Sequence, residues 1–525
     1  QQLKSNRVDL YLQDEYIVSE KLKITGGLRV SMIDFKDTAL ENPAITALYF
    51  RRFEQFNTGL MPKTQYLFEP RFGFNYDVKG DRSTQIRGGT GVFTGKPPYV
   101  FLSNQIGNNG VLTGFIDVNN STAYGFSANP PQHFTPANPT LPTTFDLAFT
   151  VPDYKFPQVW KSNIALDQKL PGGFIGTLEY IYGQNINAVT YYNANLKSPN
   201  ARFNGPDNRY RWTSTSVNRI NSNVSMAAVL ANTDEGYYNN TTIKLEYPAK
   251  RGLWGSFALS FSDAKDIQSA GSTASASWQS IRSINGNNDN IGLSNSDNNI
   301  KEKLVGLIGY KINYGKKYGG ATSFTLGYIG QSGFSYTYNI AGDMNLDGVS
   351  GNELLYVPGH GSQIKFEQFN SPTQPNGSVV TFTTVMQQQA LEDFIKQDKY
   401  LSTRRGGYTE RNGSYIPMLN RFDFSVIQDF FITIKGVKNS FQARADILNF
   451  GNLLNNDWGV SQRATVPSLL TYRSVGSADG IPVFRLATQL DQYGYTILAR
   501  DTYSKNTSVS NVWTAQLSLR YTFGK

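Results

Sequence analysis

An all-β chain, folded as a transmembrane antiparallel β-barrel with long extracellular loops, is the fold class this sequence predicts. Three observations carry that prediction. Side chains alternate apolar and polar along segments of about ten residues, the length a tilted membrane strand needs. Connections alternate between tight turns and long polar stretches. No run of about eighteen apolar residues is present, so no segment is suited to cross a bilayer as a helix.

Composition agrees. Of 525 residues, 39% are hydrophobic and 17% charged, with 31 Tyr, 33 Phe and 48 Gly, so strand and turn formers dominate. Cysteine is absent, which removes disulfides, thiolate metal sites and cysteine nucleophiles. The formal net charge is +9, but Lys and Arg are scattered singly, without the basic block that nucleic-acid binding requires. The first residues, Gln1-Gln2-Leu3-Lys4-Ser5, lack a basic region followed by an apolar core, so no signal peptide is expected in this chain.

Taken from the N-terminus, Leu22, Ile24, Leu28, Val30 and Met32 alternate with Lys23, Thr25, Arg29 and Ser31. Phe72, Phe74 and Tyr76 alternate with Arg71, Asn75 and Asp77, and Leu253, Phe257, Leu259 and Phe261 with Ser256, Ser260 and Ser262. Phe422, Phe424 and Val426 stand against Arg421, Asp423 and Ser425, and Phe441, Ala443, Ala445 and Ile447 against Gln442, Arg444 and Asp446. The last segment places Trp513, Ala515, Leu517, Leu519, Tyr521 and Phe523 on one face and Thr514, Gln516, Ser518, Arg520 and Thr522 on the other. Period two puts the two sets on opposite faces of a sheet, one suited to lipid and one to water. Strands of soluble sandwiches also alternate but are usually about five or six residues long.

Short turns are expected at 19–21, 79–82, 171–173, 250–252, 315–320 and 435–438, and long loops at 36–65, 95–156, 190–236, 267–299, 341–414 and 450–511. The short side of such a barrel is periplasmic. With residues 481–500 taken as an extracellular hairpin, the count is about thirteen strands. Bacterial single-chain barrels have an even number, so the barrel is expected to be incomplete at its N-terminal side.

Several stretches, in this order, resemble the barrel of TonB-dependent receptors of the Bacteroidetes type, nearest the Oar-like group. They include Leu10-Tyr11-Leu12-Gln13-Asp14-Glu15-Tyr16, Glu69-Pro70-Arg71-Phe72-Gly73-Phe74, and Ile86-Arg87-Gly88-Gly89-Thr90-Gly91-Val92-Phe93. Gly330-Gln331-Ser332-Gly333-Phe334, Glu410-Arg411-Asn412-Gly413 and Asp446-Ile447-Leu448-Asn449-Phe450-Gly451-Asn452 follow. The resemblance covers nearly the whole chain. It implies a barrel of about twenty-two strands around a plug, with residues 1–525 as its C-terminal portion and the plug absent. It further implies energy from the TonB complex through that plug, and an extracellular ligand, with a surface lipoprotein as a candidate partner. Tyr521 and Phe523 are expected to serve as the terminal assembly signal, although Gly524 and Lys525 follow them.

The sharpest local motif is Asp343-Met344-Asn345-Leu346-Asp347-Gly348. Oxygen ligands at alternate positions before a turn-forming Gly suit a hard cation. A calcium ion is expected on the side chains of Asp343, Asn345, Asp347 and Glu353 and the carbonyl of Val349. Glu353 stands at the eleventh position where an EF-hand places its acid at the twelfth, here Leu354, and the bland alternative is an Asx-rich turn. Tyr99, Phe101, Tyr191, Tyr192, Tyr210, Trp212, Tyr237 and Tyr238 are candidate ligand-stacking residues at the barrel mouth, with the aromatic girdle as the alternative. His133 and His360 lie in different loops and form no transition-metal set. No nucleophile elbow or Ser/His/Asp grouping is visible, so no enzyme is expected. The function expected is active uptake of a bulky nutrient such as a peptide or oligosaccharide; an adhesin or a passive porin is the alternative.

Overall fold

The computed structural model describes residues 2–36, 39–96, 98–111, 128, 145–285, 291–314 and 319–523. His133, Gly524, Lys525 and most of the expected turn at 315–320 lie outside the described residues. Among the described residues, thirteen long strands form one antiparallel sheet in sequence order. They are β1 (Ser5–Ile17), β2 (Leu22–Phe35), β3 (Gln65–Asp77), β4 (Thr84–Thr94), β5 (Gln158–Lys169), β6 (Ile175–Ile186) and β7 (Tyr237–Lys250). β8 (Leu253–Asp266), β9 (Glu302–Tyr314), β10 (Gly320–Gln331), β11 (Leu419–Ile434), β12 (Val437–Leu448) and β13 (Thr514–Phe523) complete it. Residues 481–500 stay outside this sheet: Thr488–Leu490 and Thr496–Leu498 pair with each other as a hairpin.

The register carries one apolar stripe across every pair. Leu12 faces Leu28, Ile24 faces Phe74, Leu166 faces Leu178, Leu178 faces Ile243 and Ile243 faces Leu259. Farther on, Leu326 faces Phe424, Phe424 faces Ile447 and Ala443 faces Leu519. Leu12, Leu178, Ile243, Ile308 and Leu519 on this face are all exposed. Large apolar side chains on an uncovered face belong against lipid, where the neighbouring strands satisfy the backbone. At the short-turn rim this outer face carries aromatic pairs, Phe174 with Tyr247 and Phe441 with Tyr521, the girdle expected at a membrane interface.

Two of the short turns are two-residue hairpins. Arg251 and Gly252 have φ of 51° and 87°, and Lys435 and Gly436 have 49° and 81°. Positive φ at both central positions matches the right-handed twist of the flanking strands. A Cβ on Gly252 would stand 2.2 Å from the Lys311 carbonyl oxygen.

Six long connections, at residues 36–64, 95–157, 187–236, 267–301, 332–418 and 449–513, join the strands on the other side, and their described residues do not trail into solvent. They fold into a layer with three apolar clusters of its own. Val224–Thr233 of the third loop pairs with Phe145–Thr150 of the second and Ala188–Asn193 of its own loop. Asn339–Ala341 and Lys365–Phe366 of the fifth loop join Ser468–Val475 and Pro482–Leu486 of the sixth in a four-stranded sheet. The 14-residue helix Thr384–Gln397, capped by the Thr383 side chain, buries Leu391, Phe394 and Ile395 in one cluster with residues of that sheet. Ile33, Phe35 and Leu67, at the upper ends of β2 and β3, anchor the layer to the barrel wall.

Candidate functional site

The inner face of the sheet is the mirror of the lipid face. Its positions carry Arg7 with Asp9 at 3.0 Å, Arg29 with Asp9 at 3.0 Å, and Arg87 with Asp167 at 2.9 Å and Glu179 at 3.4 Å. Lys244 pairs with Glu246 at 2.5 Å, Arg421 with Asp423 at 3.0 Å and Arg444 with Asp446 at 2.7 Å. Most of these partners stand two residues apart on one strand, so both members share a face. Part-exposed pairs contribute at most about 1 kcal/mol each. Their consequence is a wetted wall whose charges are locally neutralised.

Above the wall, the segment 343–353 lies where four loops meet. Trp212 of the third loop donates its backbone N–H to the Asn345 carbonyl at 2.8 Å. Asn218 of the same loop donates Nδ2 to the Leu346 carbonyl at 2.8 Å. Ser283 of the fourth loop accepts from Leu354 N–H at 3.0 Å and donates its own N–H to the Asn352 carbonyl at 3.1 Å. The sixth loop joins through the strand at Asn339–Ala341 just before the segment. Arg209, paired with Asp207 at 2.8 Å, also donates to the Leu354 carbonyl at 2.9 Å.

Within the segment, carboxylates gather the backbone. Asp343 accepts from Asp347 N–H at 3.1 Å and Gly348 N–H at 3.0 Å. Asp347 accepts from Val349 N–H at 2.8 Å and Asn352 Nδ2 at 2.7 Å. Glu353 Oε1 accepts from Asn345 N–H at 2.9 Å, and the Asn345 side-chain oxygen accepts from Asp347 N–H at 2.9 Å. These bonds hold Leu346 at φ 63° and Gly348 at φ 95°, the left-handed conformation that costs a side-chain-bearing residue about 1–2 kcal/mol. Asn345 and Glu353 are 0% exposed and Asp347 3%.

Burial of so many acids is electrostatically costly. Burial, reinforced by the neighbouring Asp347, pushes the Glu353 carboxyl up to about 8. Burial and the adjacent Asp343 push Asp347 up to about 6, and burial raises Asp343 as well. Among the described residues no three His, Cys, Asp or Glu side chains converge tightly enough to form a metal-ligand set by themselves. In this segment the reason is visible: each carboxylate turns at least one oxygen onto a loop N–H, and asparagine and backbone oxygens fill the positions between them.

The candidate stacking residues separate into two kinds. Tyr191 and Trp212 are each 1% exposed and belong to the core of the loop layer, so their role is packing and not an open stacking platform. The Trp212 indole N–H donates to the Lys197 carbonyl at 3.2 Å. Tyr210 is exposed and lies under the Arg202 guanidinium at 3.7 Å. Tyr99 and Phe101 pack against the layer core from its edge, and Tyr192 donates its hydroxyl to Glu54 at 3.2 Å. Tyr237 and Tyr238 begin β7 at its upper end, Tyr237 donating to Asp263 at 3.2 Å and Tyr238 covering Gly183. His360 serves its own turn, its Nδ1 accepting from Ser362 N–H at 3.2 Å. Asn218, Arg209 and Ser283 had no motif to announce them; their roles arise from contacts between distant loops.

The chain is similar to several solved structures. The outer membrane transporter YddB from Escherichia coli matches with a TM-score of 0.41 and 9% identity over 99% of this chain and 54% of that one. The FrpB iron transporter from Neisseria meningitidis, F3-3 variant, matches with 0.38 and 9% over 86% and 42%. BauA, the ferric preacinetobactin receptor from Acinetobacter baumannii, matches with 0.37 and 9% over 98% and 43%. The chain thus spans about half the length of these structures or less. No curated protein sequence matches it. The family model described as the outer membrane beta barrel domain matches residues 1–465, and with the lipid-facing stripe and the wetted inner wall this shows that the chain belongs to the outer membrane β-barrel domain family.

Proposed function

We propose that this chain is the barrel of a TonB-dependent active transporter of the Bacteroidetes, Oar-like type, taking up a bulky nutrient such as a peptide or an oligosaccharide. The observation that carries the reading is the width and wetness of the wall. Thirteen strands spaced about 4.8 Å apart give a sheet about 60 Å across. A barrel of about eight strands already has an interior its own side chains can fill. A wall this wide, lined by ion pairs such as Arg87–Asp167 and Arg444–Asp446, is suited to face water or a separate plug. In this reading the plug and the contact with the TonB complex come from elsewhere in the full protein, and the folded loop layer selects the ligand, alone or with a surface lipoprotein.

The test is uptake of labelled peptides and oligosaccharides by cells carrying the native full-length protein, compared with a deletion strain, with and without a protonophore. Uptake that requires both the protein and the proton gradient supports the reading. Uptake that persists without the gradient identifies a passive pore. Capture of partner cells or proteins with no uptake identifies an adhesin.

A further inference from the structure

We propose that the segment 343–353 binds a calcium-sized divalent cation, and that this ion ties four extracellular loops into one unit. The ligand set is the side chains of Asp343, Asn345, Asp347 and Glu353 with the carbonyl of Val349.

Two buried, unpartnered oxygens carry the inference. Glu353 is 0% exposed; its Oε1 is held by Asn345 N–H, while its Oε2 has no hydrogen-bond partner. An acid buried with one oxygen unsatisfied beside two further acids lacks the full coordination that buried charge requires. Asn218, reaching in from a different loop, is 3% exposed; its amide nitrogen is fixed on the Leu346 carbonyl, and its Oδ1 also lacks a partner. It brings an oxygen to the same segment without any local sequence reason.

The nearest cationic groups do not complete the site. Arg209 is engaged by Asp207 through both Nε and Nη2, at 2.9 and 2.8 Å. Arg282 spends its Nη1 on the Gln279 carbonyl at 3.1 Å. Three carboxylates, an asparagine side-chain oxygen and a backbone carbonyl supply only oxygen ligands, the donor type a hard cation takes; the irregular spacing, with the acid at the eleventh position, favours the flexible coordination of calcium over the strict octahedron of magnesium. Because the segment takes bonds from Trp212, Asn218 and Ser283, ordering it by an ion orders the third, fourth and fifth loops together, and the sixth through Asn339–Ala341. The site stands whether the barrel transports or adheres.

The experiment uses the full-length protein extracted from outer membranes, stripped with chelator and titrated with calcium chloride by calorimetry. Terbium luminescence excited through tryptophan serves as a second readout. One saturable site is expected, weakened at least tenfold in Glu353→Gln and in Asp347→Asn, and bound at least tenfold more weakly by magnesium. Protease cleavage within residues 187–236 and 332–418 should slow at least tenfold when calcium replaces chelator; this readout uses the unaltered protein and stands even where a variant fails to fold. Absence of saturable binding, equal affinity in Glu353→Gln, equal affinity for magnesium, or unchanged cleavage each overturns the proposal.

Discussion

Replacing Trp212 by alanine removes the largest fully buried side chain of the loop layer and leaves the barrel wall untouched. Loss of a buried Trp from a packed core costs about 3–5 kcal/mol. The Lys197 carbonyl, which loses its indole donor, belongs to an exposed residue and can turn to water, so no further term is added. At about 1.4 kcal/mol per decade, the opening equilibrium of the layer rises by about two to nearly four orders of magnitude. Hydrogen exchange read by mass spectrometry on the extracted protein reports it. The amides of Asn345, Asp347 and Leu354, bonded to Glu353, Asn345 and Ser283, should exchange about a hundredfold faster or more, while those pairing β7 with β8 should not change. Unchanged exchange at those three amides would refute the packing role, and a uniform rise through the strands would refute the independence of layer and wall. Loss of ligand binding with unchanged exchange would return Trp212 to the stacking role read from its sequence.

Other perturbations test separate steps. Arginine at Ile243, mid-strand on the lipid face, should destabilise folding into vesicles by about 2–4 kcal/mol, whereas arginine at the adjacent inward-facing Thr242 should cost close to nothing; equal costs would invalidate the face assignment. Alanine at Gly309 should cost about 1–3 kcal/mol, because its Cβ would lie 2.3 Å from the Trp254 ring, and urea titration of the folded barrel measures it. Burial pushes the Glu392 carboxyl up, but the Arg405 guanidinium, at 2.9 and 3.1 Å, and the Gly361 N–H outweigh it and hold it below the ordinary glutamate range. A depressed acid stabilises above its unfolded value and loses that contribution as pH falls through its folded value. Protease resistance around the helix Thr384–Gln397 should therefore decline below about pH 4.5, and Arg405→Ala should weaken it by about 1–3 kcal/mol at neutral pH; a pH-independent profile would contradict this.

How much of this was legible depends on how local the signal is. Each wall strand declares itself, because period two writes the lipid face directly into neighbouring residues, as at Phe441 to Ile447, and each strand pairs with the next in sequence. The strand count and the place of residues 481–500 were readable for that reason. The folding of the loops was not. Asn339–Ala341 finds its partner in Ser468–Val475, and strands this short carry no periodicity. Tyr210 and Trp212 suggested stacking residues by composition; in the fold their short extended piece buries Arg209 and Trp212 and exposes Tyr210. The motif at 343–348 was visible, since its Asx turns are local, but the neighbours that make it a junction, Asn218 and Ser283, come from other loops.

The contrast between wall and loop layer has a consequence for the order in which the molecule is made. Every wall pairing joins strands consecutive in the sheet, so insertion can proceed hairpin by hairpin, every second one closing only a short turn. The contacts of Trp212 and Asn218 with the junction at 343–353 and the sheet joining Asn339–Ala341 to Ser468–Val475 instead close contours of more than about a hundred residues, contacts that are intrinsically slow to form. The part of the surface layer that includes the sixth loop therefore matures last, after that loop has crossed the membrane. During that interval the wall is in place while the helix face of Leu391, Phe394 and Ile395, which packs with Leu469, Leu470 and Phe484 of the sixth loop, is still uncovered, and that is when the protein is most open to proteolysis and to association with its own kind.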